Sequence, residues 1–251
     1  MKNFTFEYPV CELDDGGNFK IPEDTTSLWF DVGTSFTSPN SIQYLKRNPN
    51  GFVLGFEPDP RMYFSIFAAQ QFAENLWLLD NSHETANAER EKRKQNALIH
   101  SFFSDNTEEF IPTNELFKRY ILFPCAVSNE ESVSSLKISD HHGSSSLMTG
   151  WKVVAKHPVK TIRLETILDK IPDRFEYIDH LKIDAEGMDS EVVLSCSNSI
   201  NKFVVVTSEM RIDSLMNTLG FEYIKGQNFA HSYVNISKKD LLKNVDYMVR
   251  G

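Results

Sequence analysis

The chain has 251 residues, and 26 Lys and Arg stand against 35 Asp and Glu for a formal net charge of −9. That acidic balance argues against nucleic-acid phosphate as the main partner. With 41% hydrophobic and 24% charged residues, the composition is that of a packed globule rather than a disordered chain.

No apolar run reaches the ~18–20 residues of a membrane span. The segment Met1 to Glu12 lacks a basic region followed by an apolar core, so no secretory signal is expected. Cys11, Cys125 and Cys196 are widely spaced and form no CxxC pair. They fit a reducing, cytoplasmic setting in which each is a small buried hydrophobe.

In chain order, Leu28-Trp29-Phe30-Asp31-Val32 reads as a buried strand that stops at the turn residue Gly33. Ser41 to Arg47 has helical spacing and a basic last turn. Asn48-Pro49-Asn50-Gly51 is a turn, and Phe52 to Phe56 is a second buried strand ending at Glu57-Pro58-Asp59-Pro60. Pro60 suits a helix start, with a helix expected over Arg61 to Glu74. Both strands are continuously apolar, as strands covered on both faces should be. Strand, turn, helix, strand, acidic residue and helix open a doubly wound parallel sheet.

Residues 75 to 120 break this rhythm, and His83 to Phe103 carries mixed charges. A solvated amphipathic helix is the simpler reading, and a lid or partner-binding insertion the other. Tyr120 to Val127 is the next expected strand. Alternation at Ser134-Leu136-Ile138 and again over Trp151 to Lys160 predicts an inserted hairpin over 132–160, with His141-His142 in its loop. Further on come a helix over Arg163 to Ile171, a strand over Ile178 to Asp184 and a helix over Asp189 to Cys196. A strand over Lys202 to Ser208, a helix over Ile212 to Leu219 and final strands at Phe221 to Lys225 and Ser232 to Ile236 complete the chain. The count is seven sheet strands in a single domain over 1–251, with 1–27 as an N-terminal extension.

Ligands of open parallel sheets bind at the carboxyl ends of the strands. Those ends carry Asp31 and Gly33, Glu57, Ala126-Val127-Ser128, Asp184 and Glu186, and Glu209. Carboxylates gathered there repel one another unless a ligand uses them. Glu57 follows Gly33 by 24 residues, about where a nucleotide-type ligand presents its ribose hydroxyls. A carboxylate can accept from both hydroxyls at once. The full GxGxxG fingerprint is missing, and Ser35 and Thr37 stand in place of glycines in the turn at Gly33. A dinucleotide is therefore disfavoured, and a ligand without a diphosphate, such as S-adenosylmethionine (SAM), is favoured.

The segments Phe30-Asp31-Val32-Gly33, Val53-Leu54-Gly55-Phe56-Glu57-Pro58-Asp59-Pro60, Ala126-Val127-Ser128, Ser144-Ser145-Ser146-Leu147, Thr161-Ile162-Arg163-Leu164 and Leu181-Lys182-Ile183-Asp184-Ala185-Glu186-Gly187 resemble the FkbM-type SAM-dependent methyltransferases. The resemblance spans Leu28 to Ile236. It implies a Rossmann-like α/β fold, the seven-stranded class I methyltransferase sheet, mostly parallel with an antiparallel last strand. It implies methylation of oxygen on a sugar or natural product. It places Asp31 and Gly33 beside the methionine part of SAM, Glu57 at the ribose and Ala126-Val127 at the adenine. Thr34, Ser35, Pro58 and Asp184 complete the expected cofactor set, and Asp184 and Glu186 face the methyl-transfer zone. Thr34-Ser35-Phe36-Thr37 departs from the family's usual Ala-Asn-x-Gly, and Glu165 stands where an Asp is common.

Asp184 and Glu186 are candidates for acceptor positioning or base catalysis; the alternative is that they cap the helix beginning at Asp189. His231, ahead of the last strand, is a further candidate base. No metal is expected, because no third hard ligand stands out beside Asp184 and Glu186. The expected partners are a small-molecule or glycan acceptor, with no nucleic acid and no membrane, and a homodimer is left open. The alternatives are a degenerate methyltransferase fold kept as a scaffold and N-methylation of a peptide or small molecule.

Overall fold

The computed structural model describes residues 12–35, 38–63, 66, 118–140, 143–148, 152–227 and 230–245. The expected charged helix of 83–103, and most of the 75–120 insertion, lie outside these residues, as do Cys11, His141 and His142.

The strands are β1 (Ser27–Val32), β2 (Gly51–Phe56), β3 (Tyr120–Phe123), β4 (Ala126–Val127), β5 (Val133–Ser139), β6 (Val153–Ile162), β7 (Ile178–Ile183), β8 (Phe203–Ser208), β9 (Phe221–Gln227) and β10 (Ala230–Asn235). The α-helices are α1 (Pro39–Arg47), α2 (Leu164–Leu168), α3 (Asp189–Leu194) and α4 (Asp213–Thr218). Seven strands form one sheet in the order β3-β2-β1-β7-β8-β10-β9. The β1–β2, β2–β3, β1–β7 and β7–β8 pairs are parallel, and β10 runs antiparallel to both β8 and β9. This is the Rossmann-like methyltransferase sheet with its antiparallel last strand. The chain leaves β1 to build β2 on one side and later returns to build β7 on the other. The switch point therefore falls at the carboxyl ends of β1 and β7, where such sheets take their ligands.

Every residue of β2, β7 and β8 is buried, which is why β2 and most of β8 run apolar without alternation, while β7 buries Asp179, His180 and Lys182. Phe30, Leu54, Phe56 and Phe203 pack one face of the sheet, and Trp29, Val53, Tyr44 and Leu45 the other. Part of the N-terminal extension joins the first face: Phe19 is buried with its ring 5.7 Å from that of Phe123.

The expected strand Tyr120 to Val127 is two. Pro124 offers no backbone N–H, and the Cys125 amide turns back onto the Phe123 carbonyl at 2.8 Å. The chain therefore leaves the large sheet, and β4 pairs instead with the end of β6. β6 and β5 form the expected hairpin, so β4, β6 and β5 make a second sheet of three strands. Among the described residues no helix is long and apolar enough to cross a membrane.

Candidate active site

The turn after β1 decides the shape of the site. Gly33 has φ +75°, and its N–H and that of Thr34 both donate to the Phe56 carbonyl, at 2.9 and 3.3 Å. The next strand over is equally close: a Cβ placed on Gly33 would sit 1.8 Å from the Asp184 backbone oxygen. Only a residue without a side chain lets β1, β2 and the end of β7 meet here. Ser35 follows with φ 60°, a conformation uncommon for a residue with a Cβ. That bend turns the Ser35 N–H toward Glu57, whose Oε2 accepts it at 2.8 Å while Oε1 accepts the Asp59 N–H at 2.9 Å. The Glu57 carboxylate is thus fixed by two backbone amides at the end of β2. It is 5% exposed, and burial pushes its pKa up to about 7 against the pull of those amides.

Asp59 carries the other half of the β2 loop. It accepts three hydrogen bonds from Arg61, two of them from the guanidinium at 2.7 and 3.1 Å, and one from Ser145 at 2.7 Å. Burial raises the Asp59 pKa, but these bonds outweigh it and hold the carboxyl below its usual value. Arg61 also donates to the Ser139 carbonyl at 2.8 Å, and Ser146 donates to the Glu186 carbonyl at 2.8 Å. The β5–β6 loop is therefore pinned to both walls of one cleft.

Gly33, Ser35, Glu57, Pro58, Ala126, Val127, Asp184 and Glu186 all line that cleft, together with Ser144 to Leu147 of the hairpin loop. Ala126 and Val127 reach it from the small sheet rather than from the end of a main-sheet strand. Asp31 and Thr34, expected at the cofactor, do not line it. Asp31 is fully buried because its side chain alternates to the α1 side of the sheet, where Ser41 donates to it and Lys182 pairs with it at 3.1 Å. Thr34 is buried over Gly55. His231, expected as a candidate base, is also outside the lining: it pairs with Ser208 across the β10–β8 ladder and packs its ring 6.2 Å from that of Tyr223.

Asp184 and Glu186 do not act as side-chain caps for α3. The residue at the cap position is Met188, with no side-chain hydrogen bond. Asp189 instead accepts from Ser208 and the Met210 amide at 2.7 and 3.1 Å. The N–H of Glu209 donates to the Ile183 carbonyl at 3.0 Å, which seats the end of β8 beside that of β7. Oxygens of Asp184, Glu186 and Glu209 consequently lie within 4.8 Å of one another. A third carboxylate thus joins the two that the sequence singled out, a spacing a divalent cation could bridge. Burial and the neighbouring acidic groups push the pKa of Glu186 up to about 6 and that of Glu209 up to about 7.

Sequence reasoning missed Lys182 and the Asp59–Arg61–Ser145 cluster as parts of the site. The signal for Lys182 was a charged residue inside the otherwise apolar stretch Leu181 to Ile183. Glu209 was visible as a strand end without a role. Nothing along the chain signalled that Ser145 would meet Asp59.

The sheet order and the carboxylate-edged cleft at its switch point define a doubly wound α/β protein with its cleft across β1, β2 and β7, where sheets of this kind take ligands. Residues 31–223 match the methyltransferase FkbM domain, and the chain belongs to that methyltransferase family. Among solved structures it is similar to a methyltransferase FkbM from Methylobacillus flagellatus KT, at 14% identity and a TM-score of 0.39; the likeness covers 84% of this chain and 44% of that one. The chain thus spans less than half the length of that solved relative. No curated protein sequence matches it.

Proposed function

We propose that this chain is a SAM-dependent methyltransferase acting on a hydroxyl of a sugar or natural-product acceptor in the cytoplasm. The observation that carries the reading is the Glu57 carboxylate, held by the Ser35 and Asp59 amides at the end of β2. An acidic acceptor so fixed suits a ribose diol, and the bare Gly33 turn leaves room for a ligand to approach the backbone. Two buried free cysteines, Cys125 and Cys196, accord with a reducing compartment.

When bound, SAM supplies a methyl group already activated on a sulfonium. What remains for the protein is to hold an acceptor in line and receive its proton. Asp184 is placed to receive that proton, because its side chain is 44% exposed and lines the cleft. Ser146 and Leu147 bound the same space from the hairpin loop.

S-adenosylhomocysteine, the demethylated product, is expected to bind in calorimetry. At 100 times its Kd it should stabilise the fold by about 2.7 kcal/mol. Transfer of a labelled methyl group across a panel of glycans, small metabolites and peptides then identifies the acceptor. No heat and no thermal shift at millimolar ligand would sink the donor reading and favour a scaffold.

Glu57 also predicts a pH dependence. Its raised pKa means that folding disfavours the ionised form, so this group's contribution to stability falls as pH rises from 4.5 to about 7. Ribose hydroxyls prefer the carboxylate, so binding should strengthen over the approach to pH 7. Adenosine is the clean probe, since it carries the ribose and does not itself titrate in this range. Its affinity is expected to be about tenfold weaker at pH 6 than at pH 8, with the dependence flattened in Glu57→Gln. A flat profile in the parent chain would remove Glu57 from the ribose site.

A further inference from the structure

Lys182 lies in the middle of the sheet, on a strand whose every residue is buried. Its side chain is 4% exposed. An ammonium so placed is tolerated only when it is paired with opposite charge and hydrogen-bonded. The Lys182 ammonium donates to the Gly33 carbonyl at 2.6 Å and forms ion pairs with Asp31 Oδ1 at 3.1 Å and Asp184 Oδ2 at 3.5 Å. Asp31 and Lys182 are register partners on adjacent parallel strands, so their side chains leave the same face side by side.

Those three oxygens do different things. Asp31 is sealed beneath the cleft and bonded to Ser41, so its charge needs a counter-ion whatever the function. The Gly33 carbonyl belongs to the turn that shapes the cleft. Asp184 belongs to the opposite wall and faces the open space. A counter-ion for Asp31 alone would have no reason to reach the other two. We infer that Lys182 is a positioning residue for methyl transfer, fixing the Gly33 turn and the Asp184 carboxylate to each other across the β1–β7 switch point. The cleft is thereby formed before any ligand arrives. This inference rests on the proposed methyltransferase reading of the site.

The test must separate this role from plain charge neutralisation. Lys182→Met alone leaves Asp31 buried and unpaired, which is by itself enough to prevent folding; the informative variant is Lys182→Met combined with Asp31→Asn. It replaces the ion pair with two neutral side chains of similar size and restores the buried charge balance. The double variant is expected to melt within a few degrees of the parent. Hydrogen exchange in the ligand-free protein should nevertheless quicken at least tenfold over 33–35 and 184–187, while the centres of β1 and β2 keep their protection. S-adenosylhomocysteine should bind at least tenfold more weakly. Lys182→Arg, which keeps the charge, should recover part of both. Parent-like exchange in both segments of the double variant would overturn the inference and leave Lys182 as the counter-ion of Asp31. Because exchange is read without ligand, a parent chain that binds no S-adenosylhomocysteine refutes the donor reading without obscuring this result.

Discussion

Asp184→Asn is expected to fold, to bind S-adenosylhomocysteine nearly as well as the parent chain, and to lose roughly 10²–10⁴ in kcat. The substitution keeps the volume and leaves an oxygen for Lys182 to donate to, so the buried array survives. It removes a half-exposed carboxylate that lines the cleft and pairs with Lys182 at 3.5 Å. An acceptor hydroxyl must lose its proton as its oxygen bonds to the methyl carbon, and an amide cannot take that proton. The comparison is single-turnover transfer of labelled methyl at saturating donor, beside a thermal melt of each protein. A folded Asp184→Asn chain with near-parental kcat would move the base to Glu186 or Glu209, whose raised pKa values suit that work.

Gly33→Ala should be the most damaging single substitution in the site. A methyl there sits 1.8 Å from one backbone oxygen and 2.8 Å from its carbon, both of Asp184. Backbone atoms cannot rotate aside as a flexible side chain can, so β1 and the end of β7 must part or the turn must refold. Such a change belongs among the exceptional losses, above about 4 kcal/mol. For a chain of this size that corresponds to a Tm lower by roughly 8–16 °C, with no measurable donor binding. Gly187→Ala is the matched control. Its φ of +92° is equally unfavourable for alanine, but nothing lies within 4 Å of the added carbon. It should cost only about 1–2 kcal/mol, the strain of the backbone alone. Equal losses for the two would show that conformation, not the contact with β7, governs the turn.

The two central strands were legible because burial on both faces leaves a continuous apolar run, and the turn at Gly33 and the acid at Glu57 were legible from their spacing. The break inside Tyr120 to Val127 was hidden because Pro124 interrupts the pairing without interrupting the apolar pattern. That Asp31 lies outside the cleft lining was hidden for a related reason. Its position at a strand end is visible in sequence and alternation from Trp29 sets its face, but the Lys182 and Ser41 partners that hold it there are not visible. Lys182 lies 151 residues away along the chain, and no local pattern pairs them. Ser145 and Asp59 meet across 86 residues through a loop whose polar composition predicts only a loop.

The hairpin loop bears on how such a protein could change its substrate. Ser145 and Ser146 hang it from Asp59 and the Glu186 carbonyl, while its strands belong to a sheet separate from the one bearing Gly33 and Glu57. The strand ends at Gly33 and Glu57 and the loop that walls the cleft therefore belong to different sheets, joined by these hydrogen bonds and by the core packing of Val127 and Ile162. Lengthening or reshaping the turn between β5 and β6 redraws the room available to an acceptor and leaves the β1 and β2 strand ends as they are. New acceptors can thus be sampled in a segment that does not carry the stability of the central sheet.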